Sequence, residues 1–293
     1  MKIYLFPNLS KTNCKQYTVS ACKVLDKCGN KILMSKNYEN VFGELSYIDF
    51  DDEDICIDKC DMIIAIGGDG TILKCSIKSS QFGKPILGIN CGRLGFMASL
   101  EHTQLDLLSN LNTGNYTTSK RMMLKAMVTS LNGEKNEFIA LNDVVVLKSD
   151  DCKIADYEIF KGDKMISSLR ADGVIFSTAT GATAYSMSAG GSIIEPEMEC
   201  IELTHICPHS LFARSMILSA ESVITVKCHV ANNSHVSINV DGNNMLKLCN
   251  GDNVVISKSD HFVEIIDING GSFFSSVNHK LMRPLKDSSE GLM

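Results

Sequence analysis

The apolar residues of this chain gather into short runs that first alternate with helical patterns. Lys2 to Phe6 reads as a strand ending at Pro7. From Asn13 to Cys28, the residues Tyr17, Ala21, Val24, Leu25 and Cys28 recur near helical spacing, and Gly29 is a good stop. Lys31 to Met34 is a second strand. Met62 to Ile66 is an unbroken apolar run with β-branched residues and the length of a buried strand. It breaks into Gly67-Gly68-Asp69-Gly70-Thr71, from which a helix runs to about Ser80. Pro85 to Asn90 is a further buried strand, ending in the glycine-punctuated turn Cys91 to Phe96. A short helix is expected over Thr103–Leu111. Residues 44–60, with Asp49, Asp51, Asp52, Glu53 and Asp54, are weakly patterned and read as a solvated surface loop without a metal. Alternating strand and helix implies a parallel sheet with helices on its faces.

After Asn115 the texture changes. Met122–Leu131 reads as a strand, Asn132-Gly133 as a hairpin turn and Glu137–Lys148 as the return. Strand-like runs follow at Tyr157–Phe160, Gly173–Thr178, Val223–Val230, Val236–Val240, Asn253–Lys258 and Val263–Ile268, with one helix in Thr183–Ile194. The fold class is therefore an α/β N-terminal domain with a parallel sheet, residues 1–100, followed by a β-rich C-terminal domain, residues 101–270. The tail, 271–293, is expected to pack back on the N-terminal domain.

Composition narrows the function. The 293 residues are 44% hydrophobic and 21% charged, which suits a soluble globular chain of about two domains. The net charge of −6 argues against a nucleic-acid partner, which calls for a basic footprint. No run approaches the ~18 apolar residues of a membrane span, so no membrane partner is expected. Met1 to Pro7 is too short an apolar run for a signal peptide. Twelve cysteines without a CxxC pair suggest reduced thiols in a cytoplasmic protein.

Strand, glycine turn and helix start together form the geometry that cradles phosphate. Glycines admit close approach to the backbone, and N–H groups at the helix start point at the anion. There is no GxxxxGK[ST], and an acid, Asp69, sits at the centre. A carboxylate beside phosphate is tolerated when a metal intervenes or when it faces a hydroxyl. Both cases point to phosphoryl transfer onto an alcohol, with Asp69 as base or orienting group. A tight turn with Asp69 as a cap is the plainer alternative. A second stretch, Arg170 to Gly191, combines Arg170 and Asp172 with a strand and the hydroxyl-rich Ser177, Thr178, Thr180, Thr183, Ser186 and Ser188. It suits a sugar or phosphate; Ser/Thr capping of a helix is its plainer alternative.

Together these stretches resemble the NAD kinase family. The resemblance rests on GGDGT at 67–71, GINCGRLGF at 88–96, LND at 141–143, DGVIFSTATGATAYSMSAGG at 172–191, ICPHSL at 206–211 and VDGN at 240–243. It implies transfer of a phosphoryl group from ATP to the 2′-hydroxyl of the adenosine ribose of NAD, giving NADP. It also implies a divalent cation, usually magnesium, and a homo-oligomer, dimer or tetramer. Carried over by motif, Asp69 is the catalytic proton acceptor, and Gly68 and Gly70 sit against the dinucleotide. Asn142 and Asp143 bind adenine and ribose, and Arg170 and Asp172 lie near the nicotinamide half. Thr183, Ala184, Tyr185, Ser186 and Ser188 line the pocket, with Asn243 at its edge. Lys74 and Lys153 match positions of polar ligand contacts, and Phe96 suits stacking on a base, with a core or cleft-wall phenylalanine as the plainer alternative. No residue is assigned as a metal ligand.

The chain departs from the family at Thr178-Ala179, where Thr-Pro is common, at Ala182, which removes a hydroxyl, and at Asn243, where Gln is common. These departures bear on affinity and on the choice between ATP and another phosphoryl donor. A non-catalytic NAD(H)-binding regulator, and a lipid or sugar kinase that shares GGDGT, are the alternative readings. His205 and His209 do not form a metal pair on this reading.

Overall fold

The structure, a computed structural model, describes residues 1–92, 95–149, 152, 154–230, 235–271 and 273–281. It divides into two compact units, residues 1–119 with 264–293, and residues 120–263.

The first unit is built on a parallel sheet. Its strands are β1 (Lys2–Pro7), β2 (Lys31–Ser35), β3 (Ile48–Asp51), β4 (Met62–Gly67), β5 (Ile86–Asn90) and β6 (Leu100–Glu101). The spatial order is β3-β2-β1-β4-β5, with β6 beyond β5. All six residues of β4 and all five of β5 are buried, as strands covered on both faces require. The helices are α1 (Cys14–Lys27), α2 (Glu39–Phe42), α3 (Glu53–Lys59), α4 (Asp69–Phe82) and α5 (Asn110–Thr113), the last preceded by a 3-10 turn at Leu105–Ser109. Strand order reverses between β1 and β4. Such a switch point opens a crevice at the carboxyl ends of the strands, where ligands of α/β sheets bind.

The second unit is almost wholly antiparallel. Its strands are β7 (Thr117–Thr129), β8 (Lys135–Ala140), β9 (Asp143–Lys148), β10 (Ala155–Lys161), β11 (Lys164–Ala171), β12 (Gly173–Ser177), β13 (Cys200–Ile206), β14 (Met216–Ser219), β15 (Ile224–Val230), β16 (Val236–Val240), β17 (Asn243–Leu248) and β18 (Asn253–Asp267). One sheet has the order β14-β13-β12-β9-β16-β17; the other runs β11-β10-β15-β18, with β7 beside β18 and β8 beside β7. The core between them takes Val144, Val146, Val174, Phe176 and Ile238 from the first and Tyr157, Ile159, Val226 and Ile256 from the second. A four-residue helix, α6 (Tyr185–Ser188), follows β12. The final described helix, α7 (Phe273–Leu281), belongs to the first unit, where the Phe273 and Phe96 rings lie 6.5 Å apart.

Several elements differ from the pattern reading. Residues 44–60 are not a loop: they hold β3 and α3. Of the acids that obscure the pattern, Asp49 and Asp51 lie on β3, and Glu53 and Asp54 lie in the first turn of α3, where they complement the macrodipole, while Cys56 and Ile57 are buried beneath. Glu137–Lys148 is two strands in different sheets, broken at Leu141-Asn142. The helix expected over Thr183–Ile194 shrinks to α6, because Gly190 takes φ +90 and turns the chain. The strands β11, β13, β14 and β17 did not stand out from the pattern. The two runs expected at 253–258 and 263–268 are one long strand.

Tyr4 on β1 is fully buried, and its hydroxyl has no hydrogen-bond partner among the described residues. Burial pushes its phenol well above the ordinary range. Tyr4→Phe removes the unsatisfied group and should raise unfolding stability by about 1 kcal/mol. Urea denaturation of both proteins checks this; a less stable variant contradicts it.

Candidate active site

The first cluster lies at the switch point. β4 ends at Gly67, Gly68 is extended, and Asp69 is the first residue of α4. Asn8, just after β1, donates its backbone N–H to the Ile66 carbonyl at 2.9 Å and its side-chain amide to the Thr71 hydroxyl at 3.2 Å. The Thr71 hydroxyl also accepts the Gly68 N–H at 3.3 Å. A Cβ at Gly67 would fall 2.2 Å from that hydroxyl, so residue 67 must be glycine for this contact. By contrast, nothing stands within 4 Å of where a Cβ would sit on Gly68 or Gly70, which leaves their backbone open to a ligand.

Asp69 is half-buried and braces the second glycine turn. Its Oδ2 accepts the Phe96 N–H at 2.7 Å and its Oδ1 accepts the Met97 N–H at 3.2 Å. A Cβ on Gly95 would fall 1.7 Å from Asp69 Oδ1. A side chain there would push the Asp69 carboxylate aside, a constraint of space rather than of backbone angle. The two N–H groups use about half of the roughly four acceptor positions on a carboxylate, which leaves room for a hydroxyl.

The second cluster lies in the antiparallel unit. Strand register sets Asp143 opposite Ser177, and Val144 opposite Val240. Three sequence-distant stretches thus meet at one strand end. The Asp241 carboxylate accepts the N–H groups of Leu141, Asn142 and Asp143 at 2.9, 2.8 and 3.1 Å. Thr178 donates its hydroxyl to the Leu141 carbonyl at 2.6 Å and its N–H to the Asn142 carbonyl at 2.9 Å. A Cβ on Gly181 would fall 2.0 Å from the Asn142 carbonyl oxygen, so the Thr178–Gly181 turn lies directly on the Asn142 backbone. Two buried polar atoms here, Asn142 Oδ1 and Thr180 Oγ1, have no partner among the described residues. They suit a ligand that brings a donor, such as an amino group or a ribose hydroxyl.

Asp143 is buried, and its carboxyl is pushed up to about 7 by desolvation and by the neighbouring Asp241 carboxylate. Asp241 is raised less, because three N–H groups favour its charged form. Of the pair, Asp143 holds the proton.

Residues 4–116 match the ATP-NAD kinase N-terminal domain, and residues 141–268 match the ATP-NAD kinase C-terminal domain. The chain belongs to the NAD kinase family. It is 35% identical to the NAD kinase of Natranaerobius thermophilus over 279 residues, 94% of this chain and 96% of that one. It is 36% identical to the NAD kinase of Thermoanaerobacter sp. (strain X514) over 286 residues, 96% of this chain and 98% of that one. The yeast NADH kinase complexed with NADH has the same fold, with a TM-score of 0.86 at 22% identity over 97% of this chain and 88% of that one. So has an NAD kinase from Archaeoglobus fulgidus in complex with ATP, with a TM-score of 0.68 at 20% identity over 96% of this chain and 98% of that one.

The remaining residues singled out by this family's motifs fall as follows. Thr183 and Ala184 are half-buried, Ser186 is buried, and Tyr185 and Ser188 are exposed on α6. Arg170 makes a two-pronged ion pair with Asp156, its β10 partner, at 2.7 and 3.1 Å. Asp172 pairs with Lys148 at 2.8 Å. Asn243 is exposed, its side-chain amide 3.5 Å from the Asp241 carbonyl. Lys74 is exposed on α4, five residues and so about 140° around the axis from Asp69. Phe96 is half-buried. Lys153 lies outside the described residues, as do Arg93 and Leu94 of the second glycine turn. His205 is buried on β13 beside Ser167, whereas His209 is exposed. Among the described residues no three His, Cys, Asp or Glu side chains are grouped to hold a metal ion, and no helix is long and apolar enough to cross a membrane.

Sequence reasoning passed over Gly95 and Asp241. Asp241-Gly242 reads as a hairpin turn, which it also is: both residues have positive φ. Nothing in the order of residues tells that its carboxylate reaches back about a hundred positions.

The Asp143 proton has a consequence for stability. Below about pH 4 Asp143 is protonated folded or unfolded, with no effect. From pH 4 to about 7 the unfolded chain ionises there while the folded chain does not, so folding loses stability as pH rises. Asp143→Asn abolishes this titration. Its stability relative to wild type should rise between pH 4 and pH 8 by roughly 2 kcal/mol, a fraction of the full linkage because a buried pair relaxes. Urea unfolding at the two pH values checks it; a constant difference refutes it.

Proposed function

We propose that this chain is an ATP-dependent NAD kinase. It transfers the γ-phosphoryl group of ATP to the 2′-hydroxyl of the adenosine ribose of NAD and yields ADP and NADP. The observation that carries the reading is Asp69, an acid held by two backbone N–H groups at the switch point, beside open glycine backbone. The 2′-hydroxyl donates to a free acceptor position on Asp69. As the new O–P bond forms and the bond to the β-phosphate oxygen breaks, the hydroxyl proton passes to Asp69. In a loose transition state, placement of that hydroxyl matters more than the strength of the base. N–H groups at the start of α4 meet negative charge on the phosphates. In the second unit, Asn142 Oδ1 accepts from the adenine amino group, and Asp143 accepts from or donates to ribose hydroxyls according to its protonation. Thr183, Ala184, Tyr185, Ser186 and Ser188 line the same dinucleotide's pocket, and Arg170 and Asp172 lie near its nicotinamide half.

Magnesium enters as part of the ATP complex, held by phosphate oxygens and water. A homo-oligomer fits the exposure of Leu211 and Phe212, consecutive apolar side chains that are each 88% exposed. The twelve free cysteines fit a cytosolic setting.

One observation favours a second reading. Asp69 already braces a loop, as it would in a dinucleotide-binding regulator without catalysis. Two variants separate brace from base. Asp69→Asn removes the proton acceptor; NADP formation should fall by about three orders of magnitude with NAD binding kept. Gly95→Ala keeps the carboxylate and displaces it; turnover should fall by about a hundredfold. NADP is read with an NADP-specific dehydrogenase. Wild-type protein that binds NAD and forms no NADP would favour the regulator, and full turnover in Asp69→Asn would remove Asp69 from the chemistry.

A further inference from the structure

Beneath α6 a set of hydroxyl groups converges on one buried carboxyl group. Glu202 lies on β13 between Ile201 and Leu203, and its side chain is fully buried. Its Oε1 accepts the Ser192 N–H at 2.5 Å. Its Oε2 accepts the Ser186 hydroxyl at 2.7 Å and, more distantly, the Ser177 hydroxyl at 3.4 Å. The Ser186 hydroxyl is also 2.9 Å from that of Thr204, which is 2.9 Å from that of Ser215. Gly191 makes the approach possible: a Cβ there would fall 2.2 Å from Ser186 Oγ and 3.0 Å from Glu202 Oε2.

Ile201 and Leu203 point to the core on one face of β13, while Glu202 shares the other face with Thr204, where the donors of Ser177, Ser186 and Ser192 gather. What Glu202 does locally is fasten residues 186 and 192 to the sheet, closing the segment between them. Within that segment the Gly191 N–H reaches the Ser186 carbonyl at 2.8 Å and the Ala189 N–H the Tyr185 carbonyl at 3.1 Å, which shape the turn, and Ala189 packs beside Val145, Ile175 and Ile206. α6 is a single turn, far too short to be stable by itself, and Tyr185 and Ser188 are exposed on it. The hydrogen bonds that tie this turn to β13 run through Ser186 and Ser192, to Glu202 and Thr204.

We propose that Glu202 is a positioning residue for the dinucleotide pocket, holding the 186–192 segment at both ends and so setting Tyr185 and Ser188. The inference rests on the assignment of those residues to NAD. Glu202→Leu removes the clasp and keeps an apolar filling. Its KM for NAD should rise about tenfold, with KM for ATP within about twofold of wild type. Glu202→Gln should restore KM for NAD. Its amide oxygen accepts the Ser192 N–H, and its NH2 donates to Ser186, whose hydroxyl then turns to Thr204. Amide hydrogen exchange at Ser192 and over 185–188 should be faster in Glu202→Leu and ordinary in Glu202→Gln. An unchanged KM for NAD in Glu202→Leu, or an equal rise in both KM values, overturns the proposal. If Glu202→Leu does not fold, Ser192→Pro deletes the donated N–H, fixing φ there as well, and the same shift is required of it. Wild-type protein that forms no NADP defeats the underlying assignment instead, and unchanged exchange at Ser192 in Glu202→Leu would still defeat the clasp.

Discussion

Three consecutive backbone N–H groups, those of Leu141, Asn142 and Asp143, end on the single carboxylate of Asp241. Much of the antiparallel unit depends on that arrangement. It ends β8 and begins β9, and so sends one stretch of chain into two sheets. It holds the Asn142 backbone where the Thr178–Gly181 turn packs upon it. It also sets a second carboxyl, Asp143, close enough that the two do not share full charge. A hydrogen bond to a charged group contributes about 1.5–3 kcal/mol, roughly twice an ordinary one, so three on one acceptor form a rigid point in an otherwise irregular loop.

The same device recurs in other forms. Asp69 holds the turn at Phe96 and Met97, and Glu202 holds Ser186 and Ser192. In each case a carboxyl group serves as the partner that a loop's own N–H or O–H groups lack. In each case a glycine, at 95, 181 or 191, clears the space in which a side chain would collide. Loops cannot satisfy their backbone groups as sheets do, so loops that must hold one shape need such partners.

These arrangements set local stability against binding. Asp143 would be more comfortable as an amide, and Asn142 Oδ1 and Thr180 Oγ1 are buried without partners among the described residues. Unsatisfied groups gathered at one strand end are costly in the free protein, and a ligand that completes them recovers that cost on binding.

The sequence by itself determined the parallel sheet of the first unit, the β-rich character of the second and the loop chemistry at GGDGT. Local signals suffice for these: β4 and β5 are apolar throughout because both faces are covered, and glycine followed by an acid at a helix start needs no distant partner. The motifs legible at 141–143, 172–191 and 240–243 also stand where ligand-binding residues would be sought. Tertiary structure alone decided the rest. The acids of residues 49–54 mask a strand and a helix whose burial comes from neighbours, and the short α6 is set by contacts from β13. Gly95, Asp241 and Glu202 act across 26, 98 to 100 and 10 to 25 positions of chain. No periodicity marks such residues, because hydrophobic patterns report which face is buried and not which polar group a distant loop will need.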